Sequence, residues 1–225
     1  GFDIVWANEF DRDAAKTYRC NFGADYLVEA DIRSVDPCTI PNFDVLVAGF
    51  PCQPFSIMGF KKGFKDPRGN LFFEIARIAE AKLPKVIFLE NVANLLEHDD
   101  GKSFLTIYNA LVPLGYSFKY QVMDAIEYGN VPQQRTRIFI VAFLDYDQCD
   151  KFSFPKPIPL EVGMNDILDR TAPHDKSYYY DESSAHWNAL KRIVTDKQAL
   201  YKIYDSGVSR KRHYFCPALT ANMGT

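Results

Sequence analysis

Over its first 145 residues the chain alternates short apolar, β-branched runs with longer stretches of helical periodicity, and no other feature of the sequence restricts the fold as strongly. This rhythm belongs to layered α/β folds, in which helices cover a largely parallel sheet. It predicts strands near Asp3 to Ala7, Tyr26 to Glu29, Asp44 to Ala48, Val86 to Glu90, Phe118 to Asp124 and Ile138 to Phe143. Helices are predicted between them, from Asp11 to Asn21, Asn70 to Ala81 and Lys102 to Val112. The second helix is the best marked, with Leu71, Ile75, Ile78 and Ala79 at helical spacing. In open sheets of this kind ligands bind beyond the carboxyl ends of the strands, so the residues just after each apolar run are the candidates for function.

After Asp145 the rhythm stops. Pro155, Pro157 and Pro159 arrive among aromatic residues, and the sequence to His213 is polar, tyrosine-rich and poorly periodic. The expected organisation is a first domain over residues 1–150 and a second, smaller one over 151–225.

Of the 225 residues, 47% are hydrophobic and 24% charged, a globular balance that excludes a disordered chain. No apolar run approaches the length of a membrane span, and no charged segment leads into an apolar one at the N-terminus, so a soluble, cytoplasmic protein is expected. The 5 cysteines are scattered without a C-x-x-C pair, and the 4 histidines stand apart, which argues for reduced thiols and against a metal site. A net charge of −3 gives no global attraction to nucleic acid, but two local basic clusters exist. They are Lys61, Lys62, Lys65 and Arg68, and Arg210, Lys211, Arg212 and His213.

Three segments carry chemistry. In Ala48-Gly49-Phe50-Pro51-Cys52-Gln53-Pro54-Phe55-Ser56, a cysteine held between two prolines follows a strand predicted to be buried, where a nucleophile would be presented. A hydrolase-like pairing of Cys52 with His98 is an alternative, for which spacing assigns no third partner. In Phe88-Leu89-Glu90-Asn91-Val92 a carboxylate ends another strand; if the two strands are neighbours, Cys52 and Glu90 open into one crevice as nucleophile and general acid. In Pro132-Gln133-Gln134-Arg135-Thr136-Arg137 an arginine pair at i and i+2 shares one face of an extended chain, an arrangement suited to phosphate or carbonyl recognition.

Taken together and in this order, the segments resemble the DNA (cytosine-5)-methyltransferase family of the bacterial restriction-modification type, with its Pro-Cys-Gln loop, Glu-Asn-Val strand end and Gln-x-Arg-x-Arg segment. Gly63-Phe64-Lys65-Asp66-Pro67-Arg68-Gly69-Asn70-Leu71-Phe72-Phe73 is similar to that family's mobile loop and following helix. Ala7-Asn8-Glu9-Phe10-Asp11 and Ala30-Asp31-Ile32 look like its second and third cofactor motifs.

The resemblance implies a Rossmann-like S-adenosylmethionine-dependent methyltransferase sheet with a partly present target-recognition domain after Lys151. Cys52 would add to C6 of a cytosine flipped out of double-stranded DNA, Glu90 would supply a proton or hydrogen bond at N3, and Arg137 would donate to O2. Arg135 would lie near the nucleophile and the phosphates. Lys61, Lys62, Lys65 and Arg68 would close over the DNA, with Gln53, Ser56, Gln133, Arg210, Arg212 and Thr220 as further substrate contacts. For S-adenosyl-L-methionine, which leaves as S-adenosyl-L-homocysteine, Glu9 would take the ribose hydroxyls, Phe10 would flank the adenine and Asp31 would accept from its amine. Ile32, Pro51 and Leu71 would line that pocket. No metal is implied, and a restriction endonuclease acting on the same site is the implied functional partner.

The family's first motif, a glycine loop, and its last motif have no counterpart here, so the expectation is a chain that lacks both. Ala218 stands where the family often has a second hydroxyl residue. Three other readings remain at this stage: a tRNA cytosine-5 methyltransferase, a catalytically inactive regulatory homologue, and a nicotinamide-dependent oxidoreductase, the last disfavoured by the lack of a glycine fingerprint.

Overall fold

The computed structural model describes residues 1–51, 71–169, 171, 180–196, 199–201, 203–204, 207–208 and 215–217. They form two compact units, one of Gly1–Val122 with Arg137–Phe154 and one of Met123–Thr136 with Pro155–Thr225. The segment 123–136, which the sequence rhythm assigns to the first domain, clusters instead with the residues from Pro155 onward.

In the first unit, strands β1 (Ala7–Glu9) and β2 (Leu27–Glu29) pair in parallel across helix α1 (Arg12–Phe22). Asp11 starts α1 by accepting from the amides of Asp13 and Ala14, and Gly23 ends it at φ +83, a conformation that favours glycine. Glu9 lies directly opposite Glu29, a like-charge pairing that is relieved by Arg19 of α1, 2.6 Å from the Glu29 carboxylate. The strand expected at Asp3 to Ala7 is displaced: β1 begins at Ala7, where backbone pairing with Leu27 begins, and Asp3 to Trp6 have no strand partner among the described residues.

The main sheet has the order β3-β4-β7-β5, formed by β3 (Val45–Gly49), β4 (Val86–Val92), β5 (Ser117–Asp124) and β7 (Thr136–Phe143). β3 and β4 are parallel, but β7 runs antiparallel to β4, so the sheet is mixed rather than largely parallel. Helices α2 (Leu71–Lys82) and α3 (Lys102–Leu111) match their predicted spans within a residue.

The period of two along the strands separates two faces. Leu46, Ile87, Leu89, Ile138, Ile140 and Ala142 point into one core with Phe72, Ile78 and Ala79 of α2 and Ile107 and Leu111 of α3. Each fully buried Leu or Ile there contributes about 2 kcal/mol. The opposite face holds Val47, Phe88, Glu90, Arg137 and Phe139 by the same alternation. β3, expected to be buried, is covered on one face only: Leu46 is 9% exposed and Val47 70%.

In the second unit, helix α4 (Ala125–Tyr128) is followed by β6 (Gln133–Gln134), which pairs in parallel with β10 (Cys216–Pro217). Asn130, at φ +49, holds the chain further on by accepting from the amides of Glu161 and Val162. Short helices α6 (Met164–Ile167) and α7 (Trp187–Ile193) and an antiparallel pair, β8 (Ile203–Tyr204) with β9 (Gly207–Val208), complete it. Helix α5 (Tyr146–Lys151) closes the first unit. No helix among the described residues is long and apolar enough to cross a membrane.

Candidate active site

Register brings the end of β3 beside Glu90, which does not end its strand as expected, because β4 stays paired with β7 through Val92. Gly49 pairs with Glu90, so the chain leaves β3 toward Phe50 and Pro51 beside the Glu90 carboxylate. A Cβ at position 49 would sit 3.3 Å from Glu90 Oε2, a tight approach that glycine relaxes. Across the antiparallel pair, Val92 faces Arg137, which places Arg137 diagonal to Glu90 on the same face of the sheet. Arg137 Nε donates to Glu90 Oε1 at 2.8 Å, with both side chains partly buried.

The next residue of β4, Asn91, points to the other face and is 3% exposed. Its Nδ2 donates to the carbonyl of Phe50 at 2.8 Å, and its Oδ1 accepts from the Val92 amide at 2.8 Å. Phe50 is itself buried, its ring 5.5 Å from that of Phe72 on α2. Pro51, exposed, and the chain that continues into Cys52 thus leave from a carbonyl that a buried amide holds. Sequence reasoning passes over Asn91 as a site residue; the available signal was a polar residue at a core-facing position of an otherwise apolar strand.

The arginine pair does not lie on one continuous strand. Arg135 falls in the break between β6 and β7, is exposed, and belongs to the second unit, whereas Arg137 is half-buried in β7 of the first. The carbonyl of Arg135 accepts from the Ala125 amide. Gln133, half-buried in β6, extends Nε2 toward the carbonyl of Pro217 at 3.4 Å. Cys52, Gln53, Ser56, Lys61, Lys62, Lys65, Arg68, Arg210, Arg212 and Thr220 lie outside the described residues.

A second constellation forms at the carboxyl ends of β1 and β2. Glu9 Oε1 accepts from the amides of Phe10 and Asp11 at 2.8 and 2.9 Å, while its Oε2 makes no hydrogen bond among the described residues. Phe10 is 70% exposed. Asn8 ties the two strand ends by donating to the carbonyls of Val28 and Ala30 at 3.0 and 2.8 Å. Asp31 follows Ala30 and caps the 3-10 turn Ile32–Ser34, accepting from the Arg33 amide at 3.0 Å and from the Arg33 guanidinium. Those hydrogen bonds hold the Asp31 carboxyl at about 2, below its ordinary value, so it is an acceptor at any physiological pH. Ile32 packs against the core, and Leu71 opens α2 half-buried.

A carboxylate beside the end of β3, and carboxylates at the ends of the separate parallel pair β1 and β2, mark two candidate sites on an α/β fold. Comparison with known proteins narrows this. Residues 1–223 match the family described as C-5 cytosine-specific DNA methylase, and the chain belongs to that family. It is 44% identical over 226 residues to Type II methyltransferase M.Bsp6I of Bacillus sp. (strain RFL6), covering 100% of this chain and 71% of that protein. It is 46% identical over 168 residues to Type II methyltransferase M.HhaI of Haemophilus parahaemolyticus, covering 75% of this chain and 50% of that one. Among solved structures, the Entamoeba histolytica methyltransferase EhMeth superposes with a TM-score of 0.60 at 27% identity, over 78% of this chain and 54% of that chain. A putative prophage-encoded DNA modification methyltransferase of E. coli shares the fold, with a TM-score of 0.53 at 22% identity over 75% of this chain and 51% of that chain. The chain thus spans about half to seven-tenths of the length of these relatives.

Proposed function

We propose that the protein transfers a methyl group from S-adenosyl-L-methionine to C5 of cytosine in a specific sequence of double-stranded DNA. The observation that carries this reading is that Glu90 pairs with Gly49 at the end of β3, just before Pro51 and Cys52 in the chain, and is held by Arg137. Cytosine C5 is a weak nucleophile. A thiolate from Cys52 adding at C6 makes the ring an enamine, and the charge developing toward N3 needs a proton or hydrogen bond from Glu90. Arg137 serves the same ring by donating to O2; its contact with Glu90 holds the guanidinium beside that carboxylate. The target base must leave the helix for any of this to occur.

The residues at the ends of β1 and β2 fit an adenosine. Glu9 offers Oε2 to ribose hydroxyls, Phe10 offers an exposed ring face, and Asp31 offers an ionised acceptor to an exocyclic amine. When bound, S-adenosylmethionine supplies an electrophilic methyl group and leaves as S-adenosylhomocysteine. Residues Lys61, Lys62, Lys65 and Arg68 are assigned to phosphate contact, and the second unit to sequence choice. The working compartment is the bacterial cytoplasm, with a restriction endonuclease that reads the same site as functional partner.

The test is transfer of a radiolabelled methyl group by the purified protein to unmethylated DNA and, in parallel, to tRNA, with bisulfite mapping of the product. Label at C5 of one cytosine within a fixed DNA sequence is the expected result. Label confined to tRNA, or none in either, overturns the reading.

A further inference from the structure

Arg77, in the middle of α2, does something that neither the motif pattern nor the family likeness assigns. Its side chain is only 20% exposed, and Glu74, one turn earlier on the helix and 12% exposed, holds it through Nη2 at 2.7 Å and Nε at 2.8 Å. From that anchored position the guanidinium reaches off the helix. Nη1 donates to the carbonyl of Val35 at 2.9 Å and Nη2 to the carbonyl of Ile32 at 3.0 Å.

Those carbonyls belong to the start of the 3-10 turn Ile32–Ser34 and to the residue just after it. The Ile32 carbonyl also accepts from the Val35 amide within the turn, and the planar fork of an arginine is shaped to bridge two carbonyls at once. Asp31 caps the start of the same turn. The turn is therefore held by a carboxylate at its start and by a guanidinium from a separate helix that bridges its first residue and the residue after its last. The helix is in turn fixed to the catalytic strand end by Phe72 against Phe50. One rigid element sets the turn that carries Asp31 and Ile32 and also the chain that leads to Pro51.

We propose that Arg77, oriented by Glu74, is a positioning residue for adenine recognition, placing the Asp31–Ile32 turn without touching the ligand. This rests on the reading that Asp31 accepts from the adenine amine. Charge-assisted bonds to the turn carbonyls are stronger than neutral ones, so their loss releases the turn while the strands and α2 persist.

The experiment measures calorimetric binding of S-adenosylhomocysteine and of S-inosylhomocysteine, in which an oxo group replaces the exocyclic amine, to the ligand-free protein. Wild type is compared with Asp31→Asn, Arg77→Met and Arg77→Lys, and unfolding of each is followed without ligand. The expected result is that Arg77→Met weakens binding of the adenine compound about tenfold, the loss of roughly one positioned hydrogen bond, and reduces the preference for adenine over hypoxanthine. Its effect should also be smaller when Asp31 is already Asn, because the two act through one contact. Arg77→Lys keeps the charge beside Glu74 but cannot bridge two carbonyls; it should show the same loss of preference and provides the reading if Arg77→Met does not fold. Loss of preference in Asp31→Asn with full preference in both folded Arg77 variants overturns the positioning role alone. Full preference in Asp31→Asn, or no binding by wild type, overturns the underlying reading of the adenine site and the proposal with it.

Discussion

Arg137 Nε lies 2.8 Å from Glu90 Oε1, and this ion pair joins two antiparallel strands on the face of the sheet turned away from the main core. The carboxylate on β4 is thus aimed by a neighbouring strand rather than by its own loop. Removal of either partner should separate chemistry from folding. Glu90→Gln preserves shape and hydrogen bonding but cannot deliver a proton, so methyl transfer should fall by about 10²–10⁴. Arg137→Ala should cost about 1 kcal/mol of stability, because the pair is partly solvated, and should lower transfer as well. Single-turnover methylation and thermal unfolding of each variant check both statements.

Cys52 follows Pro51 directly, one residue beyond the described end of the β3 segment. Once the thiolate adduct at C6 has been methylated at C5, it resolves only by losing the C5 proton and expelling the thiolate. DNA with 5-fluorocytosine at the target should therefore trap the protein covalently in the presence of cofactor. Peptide mass spectrometry should find the adduct on Cys52; an adduct on Cys20, Cys38, Cys149 or Cys216 would reject the assignment.

Asn91 is the buried link between β4 and the chain that leaves β3. Asn91→Ala leaves the Phe50 carbonyl and the Val92 amide without that partner, at about 1–3 kcal/mol. Asn91→Asp should cost more, since a carboxylate oxygen would replace the donor and face the Phe50 carbonyl. The order Asn, Ala, Asp in thermal stability, with trapping by 5-fluorocytosine DNA slowed in the same order, is the expected result.

The course of the backbone was largely legible because burial imposes a period. Ile87, Leu89, Ile138 and Ile140 alternate as a half-buried strand must, and α1, α2 and α3 begin and end within a residue of their predicted bounds. What escaped was pairing. The start of β1 at Ala7 depends on which residues of β2 lie opposite, and the antiparallel sense of β7 depends on its neighbour β4. The same holds for the site. Glu90 and Cys52 stand out as residue types at strand ends, but the diagonal from Glu90 to Arg137 is a matter of register. Arg77 and Asn91 are polar residues inside apolar patterns, and their partners lie 42 and 41 residues away in the chain. No local pattern signals contacts of that range.

Asp31 sets an acid limit for the proposed cofactor edge. Its carboxyl is held at about 2 by hydrogen bonds from Arg33, against an ordinary value of 3.8. A depressed carboxyl contributes stability that is complete above the unfolded value and is lost as pH falls through the folded one. Between pH 7 and about 5, stability and S-adenosylhomocysteine affinity should therefore show no change attributable to Asp31, and its contribution should fade only between about 4 and 2. Because the group is exposed to solvent, the effect on stability is small. Carboxyl NMR titration of wild type, with Asp31→Asn to assign the signal, checks the position of the transition.

Sequence choice is expected to reside after Lys151, beyond the point at which the strand–helix rhythm ends. Readout of base edges in the major groove needs donors with fixed geometry, and an arginine fork matches the two acceptors of guanine. Arg210 and Arg212 supply such forks, whereas Lys61, Lys62 and Lys65 present point charges suited to phosphates, which all sequences share. Replacing Arg210 or Arg212 by Ala should then cost about 1–3 kcal/mol at the cognate site and relax discrimination at one base pair. Replacing Lys62 by Ala should weaken binding to every sequence alike and flatten its dependence on salt, since one fewer counterion is released. A randomised DNA library separates the two outcomes. A change of preferred sequence with the arginines, and a uniform loss with the lysine, is the expected pattern; an unchanged preference in both arginine variants moves recognition to other residues of the chain.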